Sequence, residues 1–121
     1  MQAFLVQLDS LWEDKPANFK RAEALLAAQP IPPGSLIVLP EMFATGFSLD
    51  TSKTIDPEPS PTEDFLKDLA GRFRSTVIGG VVRSGKQGKG RNEAVVFGPA
   101  GELAARYCKM HPFSLSGEAG Q

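Results

Sequence analysis

Cysteine and histidine are nearly missing from this sequence, with one of each in 121 residues. A single thiol, Cys108, excludes an internal disulfide framework, and a chain without a Cys/His cluster has no ligand set for structural zinc. Excess charge is lacking too: 13 basic and 14 acidic side chains leave a net charge of -1. That balance offers no electrostatic footprint for nucleic acid or an acidic membrane surface. No apolar run reaches membrane-spanning length. The first residues carry no basic segment, and Asp9 interrupts the apolar stretch, so no signal peptide is read. The expectation is a soluble, cytoplasmic protein. What is present is an ordinary globular supply, 41% hydrophobic with 8 Phe, enough for one domain and a real core.

Ala3 to Leu8 reads as a short buried strand. Asp14 or Lys15 begins a helix with Pro16 in its first turn, and Phe19, Ala22, Leu25 and Leu26 form its sheet-facing stripe. Pro30, Pro32, Pro33 and Gly34 end that helix. Leu36-Ile37-Val38-Leu39 is a continuous apolar run, the pattern of a parallel strand covered on both faces, and Pro40 stops it. Asp50 to Pro59 reads as a loop. Ser60-Pro61-Thr62-Glu63 is a capping box that opens a second helix, with Phe65, Leu66, Leu69, Ala70 and Phe73 as its stripe. Thr76 to Val82 is the next strand, where Gly79-Gly80 signals a close backbone approach or a bulge. Asn92 to Phe97 and Leu103 to Lys109 form a hairpin around the turn Gly98-Pro99-Ala100-Gly101. Strand-helix alternation followed by a hairpin predicts an α/β fold with helices packed on a mixed sheet.

Two charged residues end apolar strands. Glu41 follows Pro40, where open α/β sheets place ligand crevices. Lys109 ends the last strand. Either alone reads as a solvated surface charge. Together, at strand ends of one sheet, they could meet in a crevice. The glycine-rich Gly85 to Asn92 is no phosphate loop: Arg91-Asn92 stands where Lys-Ser/Thr is needed, and a strand follows rather than a helix. It reads as a solvated hairpin loop.

LPEMFATGF at 39 to 47 and YCKMHPF at 107 to 113 resemble the first two catalytic motifs of the carbon-nitrogen hydrolase (nitrilase) superfamily. Met42-Phe43, Thr45-Gly46-Phe47, His111, Phe113 and Gly117-Glu118 are similar to its omega-amidase (2-oxoglutaramate amidase) branch, and the resemblance runs along the whole chain. It implies an αββα sandwich, of which residues 1 to 121 are the N-terminal half, and a Cys-Glu-Lys triad without metal or organic cofactor. By that resemblance Glu41 is the general base and Lys109 stabilises the oxyanion. Glu118, Phe43 and His111 are the expected substrate-side residues, with Phe43, like Phe47, read as core or pocket wall rather than as a reactive group. The implied partner is a small-molecule amide, and family members commonly form homodimers.

The family's nucleophile follows a further strand, beyond the lysine motif. Cys108 is adjacent to Lys109 on a strand, so the two point to opposite faces, and Cys108 reads as a non-catalytic departure from the family pattern. The expectation is therefore a fragment, inactive by itself, with an uncovered sheet face and edge. The alternatives are a nitrilase or N-carbamoyl hydrolase branch, or a non-catalytic α/β module that binds a partner.

Overall fold

The structure, a computed structural model, describes residues 1–86 and 89–109. Among the described residues, five strands lie side by side in chain order: β1 (Ala3–Leu5), β2 (Leu36–Val38), β3 (Thr76–Ser84), β4 (Gly90–Phe97) and β5 (Leu103–Cys108). The first three run parallel, and β4 and β5 add antiparallel. Helix α1 (Lys15–Ala27) connects β1 to β2, and α2 (Thr51–Thr54) and α3 (Pro61–Phe73) connect β2 to β3. The expected mixed sheet with packed helices is what forms.

Each long helix starts at a side-chain cap. Asp14 accepts from Ala17 N at 3.1 Å and Ser60 from Glu63 N at 3.1 Å, each with a proline in the first turn. Only one arm of the predicted capping box forms. The Glu63 carboxylate instead receives Arg83 and Arg106, a stronger charged partnership than a backbone amide. Inside the predicted loop, α2 is one unforeseen helical turn, capped by Asp50, which accepts from Ser52 N at 3.0 Å.

Alternation along the strands separates the two faces of the sheet. Ile37, Leu39, Val77, Val81, Val95 and Phe97 are buried with Ala22 and Leu26 of α1 and Leu66, Leu69 and Ala70 of α3. Phe19 and Phe65 stack at 4.5 Å between the helices. The opposite face is only half-covered among the described residues: Leu36, Val38, Ile78, Ala94 and Val96 are the less buried members of their strands, and Leu5 is 77% exposed. This corrects two expectations. β2 is covered on one face rather than two, and the first strand is an edge of three residues rather than a buried run to Leu8. An apolar run records that both faces need cover, not which segment supplies it. Leu25 also departs, exposed beside the Asn18-Ala22-Leu26 stripe that spaces every fourth residue onto the sheet.

The glycine pair in β3 serves two close approaches, one on each face. A Cβ at Gly79 would lie 2.6 Å from Leu66 Cδ2, and at Gly80 it would lie 3.1 Å from Met42 N and 3.3 Å from Glu41 Cα. Gly80→Ala must therefore displace backbone. Overpacking of this kind costs about 1–3 kcal/mol, and the lower entropy of the unfolded chain returns about 0.4–1 kcal/mol. A net loss of about 1–2 kcal/mol in urea unfolding is expected.

Asp56, 4% exposed, ties α1 to the start of α3. It accepts from Lys15 Nζ and Ser60 Oγ, from Thr62 N at 2.8 Å and from Thr62 Oγ1 at 2.9 Å. Burial pushes its carboxyl upward, but the donors from Lys15, Ser60 and Thr62 outweigh that and hold it below the usual carboxylate range. A lowered folded-state value means a contribution fully present above the unfolded carboxylate value of about 4 and lost as pH falls through the folded one. Asp56→Asn should cost about 2–3 kcal/mol at neutral pH. Its melting temperature should then fall less steeply than that of the natural protein on acidification below about pH 4, as measured by thermal melts across that range.

Candidate active site

Pro40 ends the ladder of β2, and the chain turns sharply at Met42, a non-glycine residue with φ 53°. Holding such a conformation costs on the order of 1–3 kcal/mol and needs support from its surroundings. The support comes from the segment around the start of α1. Asn18 donates to Ala44 O at 2.6 Å, Ser10 Oγ to Phe43 O at 3.1 Å, and Glu13 N to Thr45 O at 2.9 Å. Asn18 is fully buried, and its remaining bonds go to the backbone of Leu11. The turn is thereby clamped from below while Gly80 lets its backbone settle onto β3.

Lys109 arrives from the other side of the sheet. Its N–H continues the ladder by donating to Asn92 O at 2.9 Å. β5 is an exposed outer strand, anchored by one side chain that reaches two elements. Arg106 donates to both oxygens of Glu63 on α3, each at 2.9 Å, and to Glu93 Oε1 on β4 at 2.7 Å. Its hydrogen bonds to Glu63 and then to Glu93 hold the Arg106 guanidinium above its ordinary value.

The two predicted charges, 68 positions apart, meet on the half-covered face. Lys109 Nζ lies 2.8 Å from Glu41 Oε1, and Asn92 Nδ2 donates to the same oxygen at 2.7 Å. Their side chains are 32% and 41% exposed, so the pair is open to a ligand rather than sealed. An ion pair this wet contributes no more than about 1 kcal/mol to stability. The pair lines a cleft of about 240 Å³ whose floor is Ile78, Gly80 and Ala94, with Tyr107 at the side. A larger hollow of about 340 Å³ lies between β1 and α1, but its walls, Phe4, Leu25, Leu26 and Gln29 among them, hold no titratable side chain. Of the two, the first is the one that holds titratable side chains.

Of the remaining predicted residues, the one that is described, Phe43, is not brought there. Phe43 is 1% exposed and packs in the helix-side core, 6.0 Å from Phe65 and 6.1 Å from Phe19 between ring centres, so the expected substrate contact is replaced by core packing. A large apolar side chain two residues beyond Glu41 returns toward the helices once Met42 has reversed the chain. His111 and Glu118 lie outside the described residues. Cys108 pairs in register with Glu93, while Tyr107 and Lys109 on either side of it line the cleft. Two residues escaped the sequence reading as site supports, Asn92 and Asn18. The signal for Asn92 was a polar side chain two and four positions before Ala94 and Val96, on the face of β4 that those apolar residues share. Asn18 lies one turn before Ala22 on the buried side of α1, a polar residue that the predicted stripe did not include. Among the described residues no His/Cys/Asp/Glu group could hold a metal ion, and no helix is long and apolar enough to cross a membrane.

Comparison with known proteins agrees with this fold. The omega-amidase NIT3 of Saccharomyces cerevisiae is 35% identical over 120 residues, covering 92% of this chain and 41% of that protein. The omega-amidase YafV of Yersinia enterocolitica is 33% identical over 114 residues, covering 94% of this chain and 43% of its own length. The chain thus spans about two fifths of the relatives it matches. Among solved structures, XC1258 from Xanthomonas campestris, described as a CN-hydrolase superfamily protein, superposes with a TM-score of 0.83 at 29% identity, over 96% of this chain and 43% of that one. The carbon-nitrogen hydrolase family pattern matches residues 3–121. A carboxylate and an ammonium joined at strand ends, on a sheet of this topology, belong to a chain of the carbon-nitrogen hydrolase family.

Proposed function

We propose that this chain supplies the base and the oxyanion-stabilising cation of an amidohydrolase acting on a small omega-amide, such as the amide of a 2-oxo acid. The observation that carries the reading is the contact between Glu41 and Lys109 in an open cleft. Its stabilising value is too small to explain two chain-distant charges at strand ends, whereas hydrolysis of an amide needs both a proton acceptor and a cation at the carbonyl oxygen. The omega-amidase names of the relatives support the substrate class.

In this scheme a thiol from sequence outside these 121 residues completes the triad. Glu41 accepts the thiol proton as the sulfur attacks the amide carbon. The carbonyl electron pair moves to oxygen, where the Lys109 ammonium offsets the new charge. Collapse of that intermediate breaks the carbon-nitrogen bond. The proton held by Glu41 passes to the nitrogen, which departs as ammonia. Glu41 then takes a proton from water, the hydroxyl adds to the thioester carbon, and the sulfur leaves and regains that proton, releasing a carboxylic acid. Cys108 takes no part, because the strand turns it away from the cleft that receives Lys109. Pairing into homodimers, and Glu118 and His111 at the substrate's side, complete the proposal.

Ammonia release from small omega-amides by the enzyme that carries this chain tests the scheme. Glu41→Gln should lower turnover by about 10²–10⁴-fold and Lys109→Ala by about 10²–10³-fold, with Cys108→Ser close to the natural protein. Full activity in Glu41→Gln refutes the base assignment, and loss of activity in Cys108→Ser refutes the exclusion of that thiol.

A further inference from the structure

We propose that Asn92 is the positioning residue of this centre, the group that decides which oxygen of Glu41 is left to move the proton. The inference rests on the amidohydrolase reading and adds a residue to it. Asn92 is 9% exposed on the cleft side of β4 and touches both charged residues. Its carbonyl receives Lys109 N at 2.9 Å, which sets the end of β5, and its amide donates to Glu41 Oε1 at 2.7 Å. Lys109 Nζ takes the same oxygen at 2.8 Å.

Two donors on one oxygen have a chemical consequence. They draw charge from Oε1, and none of the described residues donates to Oε2, so Oε2 is the more available proton acceptor. Lysine alone would not hold that choice. The last torsion of a glutamate is broad, and an ammonium on a four-carbon stem follows either oxygen as the carboxylate rotates. A short, planar amide fixed on a strand does not follow. Asn92 therefore locks the carboxylate plane, and Lys109 is left to act as the cation. Among the described residues, the other titratable groups around the cleft are Tyr107 from β5 and Glu93 from β4, whose carboxylate is engaged by Arg106 and Arg91.

Asn92→Ala keeps the backbone carbonyl that receives Lys109 and removes only the amide. In the enzyme that carries this chain, it should lower kcat for ammonia release by about 10–100-fold with KM little changed, the scale of a misoriented catalytic group. Asn92→Asp keeps the shape and puts a like charge against Glu41. The acid limb of its kcat/KM profile should move to higher pH by about one unit or more, a change that loss of folded enzyme would not produce. Natural kcat in Asn92→Ala together with an unmoved limb in Asn92→Asp overturns the assignment. A second readout does not depend on activity. In the NMR spectrum of the 121-residue chain, the side-chain amide proton of Asn92 that faces Glu41 should lie downfield and move upfield in Glu41→Gln. Absence of amidase activity with this response intact would fault the functional reading alone, whereas a resonance indifferent to Glu41→Gln would fault the role of Asn92.

Discussion

One carboxylate oxygen, Glu41 Oε1, is where this structure converges. It receives an ammonium from the end of β5 and an amide from β4, while its own backbone comes from the turn after β2. Three strands must therefore keep register to within a hydrogen bond's tolerance for the contact to exist. The contact gives little back in stability, since both charges are wet. The fold supports the site, rather than the site the fold.

That support is distributed over both sides of the sheet. On the helix side, Asn18 holds the turn that follows Glu41, and Arg106 clamps β5 to α3 and β4 three positions before Lys109. On the cleft side, Gly80 gives the Glu41 backbone room that any side chain would fill. The left-handed Met42 is tolerable only because the carbonyls behind it are bonded to Ser10, Asn18 and Glu13. The apolar core then does the bulk of the stabilising, and it lies mainly on the helix side of the sheet, with Leu39 also reaching the cleft. Separation of the two tasks leaves the cleft face free to carry polar groups without unsettling the packing that orders the strands.

Much of this was legible in the residues, for reasons that differ by element. Helix α3 was readable because local signals agree: a serine cap, a proline at the first position and an apolar stripe of helical period. The mixed sheet with helices packed on it followed from alternation of strand and helix and the closing hairpin. Glu41 and Lys109 were found by position, each at the end of an apolar strand, and by resemblance of the flanking motifs. The extent of β1 and the half-covered face of β2 were not readable, because cover depends on which segments pack against a strand, a long-range fact. Phe43 could be read only as core or pocket wall, and it is core because a single left-handed residue, Met42, redirects the chain beyond it, and nothing in its side chain announces that φ. Asn92 stayed hidden for a similar reason. Its meaning depends on antiparallel register with β5 and on a turn far earlier in the chain, which no local pattern encodes.

The central claim is spatial: Glu41 and Lys109 touch. Zero-length carbodiimide coupling joins a carboxylate to an amine only where they are already in contact, and peptide mass spectrometry then names the pair. An isopeptide bond between Glu41 and Lys109 in the natural chain, alongside the Lys15–Asp56 pair that ties α1 to the start of α3, is the result this account predicts. Recovery of the Lys15–Asp56 bond without any product between Glu41 and Lys109 would contradict it.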